Sequence, residues 1–179
     1  PFPPHEQDAY AVPANQVQIF GRPLDAWVDD LNGIDALTRL RAIKTIGLCP
    51  EAAPALLAAL HDYDTAVTYW AAVGLGTLNI RTPEAVEALK QAALNRPMTT
   101  RLGAARALAA LGEDEAALPV ALEALQDKNE FTRLFAAQIL EDIGADNPQV
   151  REALEKALDD KSKYIVRVAE HALSAAAGR

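Results

Sequence analysis

The chain has 179 residues, enough for one domain with a buried core and too few for two sizeable ones. Half the residues are apolar but only 6 % are aromatic, and the apolar mass is Ala and Leu, which favours closely packed helices over strands. A net charge of −8 argues against nucleic acid and against anionic membranes as partners, because affinity for phosphate backbones rests on Lys and Arg displacing counterions.

In chain order, residues 1–22 lack a helical period and carry four prolines, so they read as an extended arm or linker whose Phe2, Tyr10 and Phe20 could dock on the body. The start at Pro1, without Met or signal peptide, suggests a processed protein or an excised domain. A repeat domain is expected over 23–179, in units of 23–49, 50–82, 83–113, 114–146 and 147–179. Cys49 stands alone, which excludes an intrachain disulfide and a Cys-based zinc site. No apolar run reaches the roughly 18 residues that a bilayer span needs.

The repeat rests on register. TRLGAARALAALG from Thr100 aligns with TRLFAAQILEDIG from Thr132 and with VTYWAAVGLGTLN from Val67. Weaker copies are DALTRLRAIKTIG from Asp35 and IVRVAEHALSAAA from Ile165. Equivalent positions are Ala36, Thr68, Arg101, Arg133 and Val166, at steps of 32, 33, 32 and 33. The central apolar position reads Ile43, Leu75, Leu108, Leu140 and Leu173. The terminal position reads Gly47, Asn79, Gly112, Gly144 and Ala177, where Gly and Asn favour the left-handed residue that stops a helix.

Each copy follows another amphipathic stretch, opening at Pro50, Pro83, Asp114 or Asn147, with PLDAWVDDLN from Pro23 as a degenerate first one. Pro50 and Pro83 suit a first helical turn. Pro54 and Pro119, which occupy related places inside this first helix, should bend it. The unit is helix A, turn, helix B. One pair cannot bury its own apolar faces, so the stack is the stable object.

Spacing and residue types over residues 23–177 resemble HEAT repeats, which implies an all-α fold, a right-handed α-solenoid of about five HEAT-like helix pairs. AVTYWAAVGLGTLN (66–79), TTRLGAARALAALGE (99–113), EFTRLFAAQILEDIG (130–144) and KYIVRVAEHAL (163–173) are similar to the HEAT-like tails of some bacterial sulfatases. PHEQ (4–7) is similar to the segment that closes a sulfatase catalytic domain. That resemblance implies an accessory role in an exported enzyme, hence a periplasmic or secreted location. It transfers no active site: the formylglycine motif, Cys or Ser followed by x-Pro-x-Arg, is absent, since Cys49 is followed directly by Pro50 and Glu51.

Candidate chemistry resolves mostly into structure. His5-Glu6 lacks the second His of a zinc-protease helix. Gly74-Leu75-Gly76 lies inside a helix-B pattern with no strand before it, so its glycines are expected to allow close helix approach rather than to cradle a phosphate. His61, Asp62 and Asp64 fall in an A–B turn and read as turn residues rather than as a cation site. Glu113, Asp114 and Glu115 suit the positive end of the next helix. Arg101 and Arg133 read either as anion contacts or, preferably, as a ladder pairing with acidic turn residues of adjacent repeats, Asp127 among the candidates. No cofactor or metal is indicated.

The functional expectation falls on the outward stripe of helix B, the face opposite the core. It reads Thr38, Arg41, Thr45; Trp70, Val73, Thr77; Gly103, Arg106, Ala110; Phe135, Gln138, Asp142; Val168, His171, Ala175. Arg41, Trp70, Val73, Arg106, Phe135, Gln138 and His171 are the candidate concave binding face. Trp70 and Phe135 would flank Arg106 as an interface hot spot, or else tuck between neighbouring helices. The sequence thus points to a non-catalytic interaction or assembly module whose partner is a protein, either a catalytic domain or a second subunit, with self-association left open. The rival classes are a stand-alone HEAT-repeat scaffold and a helical-repeat enzyme that excises bases or attaches bilins.

Overall fold

The computed structural model describes residues 16–178. Phe2, Tyr10 and the PHEQ string therefore lie outside the described residues. Two short antiparallel strands, β1 (Gln18–Ile19) and β2 (Arg22–Pro23), lead into ten α-helices. The helices alternate between two layers. Layer A holds α1 (Leu24–Asp29), α3 (Ala53–Ala59), α5 (Pro83–Asn95), α7 (Asp114–Ala124) and α9 (Pro148–Ala157). Layer B holds α2 (Ala36–Ile46), α4 (Thr65–Thr77), α6 (Met98–Ala110), α8 (Glu130–Ile143) and α10 (Lys163–Ala177).

Local chemistry sets these boundaries. Asp35, Asp64, Thr82, Asn129 and Asn147 each accept backbone N–H groups of the following turn, satisfying donors that a helix start leaves free. Asn79, Gly112 and Gly144 stop α4, α6 and α8 with φ of 55°, 77° and 97°. Gly47 does not act this way, since its φ is −63° and the chain turns into a short 3-10 segment at Pro50–Ala52 instead. The expected bend at Pro54 takes the form of that 3-10 segment, which places Pro54 in the first turn of α3. Pro119 sits inside α7 without ending it.

The first copy needs a correction of register. Measured from the residue before each B helix (Asp35, Asp64, Pro97, Asn129 and Ser162), the partner of Thr68, Arg101, Arg133 and Val166 is Arg39, not Ala36. Likewise Ile46, rather than Ile43, stands where Leu75, Leu108 and Leu140 stand. Both isoleucines are buried, so the apolar pattern survives a slip of three residues and cannot reveal it.

The core is a continuous seam between the layers, built around Ile43, Ile46, Leu56, Leu75, Leu89, Leu108, Leu140, Leu154 and Ile165. Consecutive B helices contact one another more extensively than consecutive A helices do. Layer B is thus the more closely packed of the two. The tightest approach is between α4 and α6: a Cβ placed on Gly76 would lie 2.7 Å from the Ala107 Cα, and one on Gly103 would lie 2.8 Å from the Tyr69 ring. The expected role of Gly76 in close helix approach is thus realised.

Residues 16–22 are not a plain extended arm. They form a β-hairpin clamped to α1: Trp27 Nε1–H donates to the Ile19 carbonyl at 3.1 Å, and Arg22 caps the Trp27 ring at 4.5 Å while pairing with Asp30.

Candidate interaction face

Two groups of polar residues lie on the B helices, and they do different things. At the N-terminal ends, side chains tie each repeat to the next. Arg39 is almost wholly buried; its Nε donates to Asp62 at 2.9 Å and its Nη1 to the carbonyls of Gly33 and Ile34. Tyr63 stacks beneath its guanidinium at 4.2 Å. The Thr68 and Thr100 hydroxyls meet at 2.6 Å. Arg101 makes a two-pronged contact with Glu123 and donates to the Ala93 carbonyl. Arg133 pairs with Asp160 through Nε and Nη2 and donates through Nη1 to the Asp127 and Lys128 carbonyls.

The ladder therefore exists, but its rungs differ from expectation. Asp127 offers Arg133 its backbone carbonyl, while its carboxylate accepts from the Asn129 N–H. Asp62 and Asp160 cap their turns in the same way, through Asp64 and Ser162, and receive a guanidinium as well. The Arg133 fork holds the Asp160 carboxyl below its ordinary value, and the Ser162 N–H adds to this while partial burial opposes it. Of the His61, Asp62 and Asp64 cluster, Asp62 serves Arg39 and Asp64 caps α4. Among the described residues, no three His, Cys, Asp or Glu side chains are grouped to hold a metal.

The second group forms the outward face. With the corrected register its rows run Arg41, Trp70, Gly103, Phe135, Val168; then Lys44, Val73, Arg106, Gln138, His171; then Leu48, Thr77, Ala110, Asp142, Ala175. Lys44, not Arg41, is the counterpart of Arg106, and it reaches across to place its ammonium 4.8 Å from the Trp70 ring. Trp70 is half-buried, edge-on to Tyr69 at 5.4 Å, while Phe135 is 37 % exposed. The two aromatics are thus neither fully presented nor swallowed. Gly103 does not face outward freely, because Tyr69 covers it.

Arg41 and Arg106 are exposed; Val73 and Gln138 are half-buried. His171 Nδ1 lies 2.5 Å from Glu141 Oε1 at the C-terminal end of the face. Val73, Arg106 and Asp142 are brought together around a hollow of about 460 Å³ between α4, α6 and α8. The Asp142 carboxyl is raised above its ordinary value, chiefly by desolvation there; Arg106 pulls it back and Glu141 adds to the rise. Sequence reasoning missed Arg39, Lys44 and Leu48. The spacing of a capping Asp or Asn to an Arg four residues on, shared by Asp35–Arg39 and Asn129–Arg133, was the signal that finds them.

These features define an α-solenoid of paired helices with an open inner face and no helix, among the described residues, long and apolar enough to cross a membrane. The chain belongs to the HEAT-repeat family: a profile described as HEAT repeats matches residues 24–109 and 97–174. No curated protein matches in sequence. In fold the chain is similar to a chain of the complex of CpcE and CpcF of phycocyanin lyase from Nostoc sp. PCC7120, at 20 % identity and a TM-score of 0.67 over 94 % of this chain and 69 % of that one. It is also similar to an engineered protein, at 20 % identity and a TM-score of 0.59 over 86 % of this chain and 79 % of that one.

Proposed function

We propose that the chain is a non-catalytic interaction module that presents its B-helix face to a partner protein. The observation that carries this reading is the segregation of charge. The outward rows hold Arg41, Lys44 and Arg106 against the single carboxylate Asp142, in a chain whose net charge is −8. Six exposed acids, Glu84, Glu87, Glu115, Glu123, Glu152 and Glu155, lie on layer A, and the exposed Glu130 and Glu170 of layer B stand outside these rows. A concave face of sign opposite to the rest of the molecule orients and selects what docks there. The half-exposed Trp70 and Phe135 add apolar contact of the kind interfaces use.

A photo-crosslinking amino acid at Val73 or Gln138, compared with one at Glu87 or Glu155, tests this in extract of the source organism. Adducts with one defined protein from the first pair alone are expected. Adducts from neither pair, or equally from both, would overturn the reading.

The sulfatase-like strings favour a parent enzyme whose catalytic domain lies outside this chain, and the coding sequence around residues 1–179 tests that directly. A second reading, participation in bilin attachment, is favoured by the likeness in fold to the phycocyanin lyase complex. Its test is the appearance of a bound-bilin absorbance band when the chain is mixed with phycocyanobilin; no band removes it.

A further inference from the structure

A groove of about 770 Å³ runs along α2 at the N-terminal end of the stack. The outward face of α2 and the turn that follows it supply the floor, with Leu37, Arg41 and Lys44 on the helix and Leu48 just beyond its end, spaced by four, three and four residues. Leu37, in the first turn of α2, is 71 % exposed, and Leu48, in the turn after it, is 75 % exposed, although both are large aliphatic side chains. From Leu37 to Leu48 the face spans about 16 Å, about three helical turns.

The wall of the groove is the tip of the hairpin, and that tip is strained. Phe20 and Gly21 both have positive φ, 54° and 73°, the arrangement of a two-residue hairpin turn that favours Asn-Gly. Phenylalanine is a poor residue for the first of these positions. Its ring is nevertheless held out at 90 % exposure beside the groove. The backbone cannot relax, because Trp27, Arg22 and Asp30 clamp both strands to α1. Folding alone gives no reason for an aromatic there; Asn would form the same turn with less strain. Strain that the surroundings hold in place points to a use for the side chain.

The groove also has a sign. Arg41 and Lys44 line it, and among the described residues no carboxylate does.

Resting on the interaction-module reading above, we propose that this groove is a docking site for an acidic amphipathic helix of a partner protein. The helix seats its apolar stripe between Phe20 and the Leu37–Leu48 face and turns flanking carboxylates toward Arg41 and Lys44. Three turns of helix match the length of the floor, and the charge of the rim selects acidic flanks. The apolar contact supplies affinity, and the two cations supply selectivity and orientation.

The test uses two labelled synthetic helices with Leu at i, i+3, i+4 and i+7, one with Glu on the flanks and one with Lys. Binding is read by fluorescence anisotropy against the intact chain. The Glu helix should bind about ten-fold tighter than the Lys helix, and added salt should narrow the gap. Arg41→Glu/Lys44→Glu should invert the preference, and both positions are exposed enough for the variant to fold.

Phe20→Asn separates function from folding. It should keep or raise Tm, since Asn suits the turn, yet weaken Glu-helix binding several-fold. A fall in Tm with binding unchanged would make Phe20 structural and overturn the proposal. Equal binding of both helices, or none up to about 1 mM, would also overturn it. Self-association of the chain in sedimentation velocity that Leu48→Glu abolishes would assign the groove to a second copy and overturn it too. Adducts from Val73 or Gln138 alone, without selectivity for the Glu helix, would sink this inference and leave the module reading standing.

Discussion

Gly76→Ala probes the close approach of α4 and α6. In an isolated helix the change should stabilise, because Gly inside a helix costs about 1 kcal/mol relative to Ala. Here the new methyl would lie 2.7 Å from the Ala107 Cα and 2.9 Å from its Cβ. Carbon atoms pack at about 3.5–4.0 Å, so α4 and α6 must separate by about 1 Å along their tightest contact. The obstructing atoms are backbone and Cβ, and no rotamer change relieves them. Overpacking of this kind costs about 1–3 kcal/mol, and a rigid neighbour places it at the upper end. After subtracting the gain in propensity, a net loss of about 2 kcal/mol is expected, or about 4–8 °C in Tm for a domain of this size. Gly74→Ala is the control. It lies in the same buried helix, but its methyl would meet Leu56 methyl carbons and the Gly47 Cα at 3.2 Å. Leu56 can shift and the Gly47 backbone need give by only a few tenths of an ångström, so the crowding is milder than at Gly76 and the Tm loss should be smaller. Differential scanning calorimetry of both variants decides the matter. A Tm for Gly76→Ala equal to or above that of the parent would refute the close approach of the two helices.

The Thr68 hydroxyl reaches the Thr65 carbonyl at 3.1 Å as well as the Thr100 hydroxyl at 2.6 Å, so the two hydroxyls are not equivalent. Thr68→Val should cost about 1–3 kcal/mol in urea unfolding by leaving the buried Thr100 hydroxyl without this partner; Thr100→Val should cost less; and the double valine variant should be better than the sum of the two. Leu89→Ala, at a fully buried site on α5, should lose about 2–5 kcal/mol. Asp160 gives a dependence on pH: its folded value is depressed by Arg133, so its contribution is present above the unfolded value of about 3.9 and is lost as pH falls through the folded value. Asp160→Asn should therefore lower Tm at neutral pH, and its Tm should converge with that of the parent as pH falls through and below the folded value; an unchanged difference at acid pH would contradict the pairing.

The helix pairs were legible because two independent signals coincide. Apolar residues recur with the helical period, and Asn79, Gly112 and Gly144 mark three stops at matching steps. Where one signal was missing, register was lost. Gly47 is not a left-handed stop, and Ile43 and Ile46 satisfy the apolar pattern equally well, so α2 was placed three residues out of step. The error carried into the candidate face, where it hid Lys44 and Leu48. The hairpin was illegible for a different reason: its turn is Phe-Gly rather than Asn-Gly, so the usual residue pattern is absent. The rungs of the ladder depend on the reach of long side chains between repeats, as with Arg101 and Glu123, which spacing along one helix does not report.

That ladder also explains why the face is uneven. At the fourth residue after each cap it reads Arg39, Thr68, Arg101, Arg133 and Val166. The residue is small at Thr68, where its hydroxyl meets Thr100 rather than a carboxylate. Between the same two helices lie Gly76 and Gly103, and α4 and α6 pack more extensively than any other described helix pair. Small residues on one interface draw the inner layer together at mid-stack, leaving only the hollow between Val73, Arg106 and Asp142. At α2 no earlier B helix is present among the described residues to close over Leu37 and Leu48, and Phe20 stands where such a neighbour would begin. The same repeat chemistry thus closes the middle of the face and leaves its N-terminal end open. A partner that uses the apolar surface of this solenoid therefore meets it first at α2.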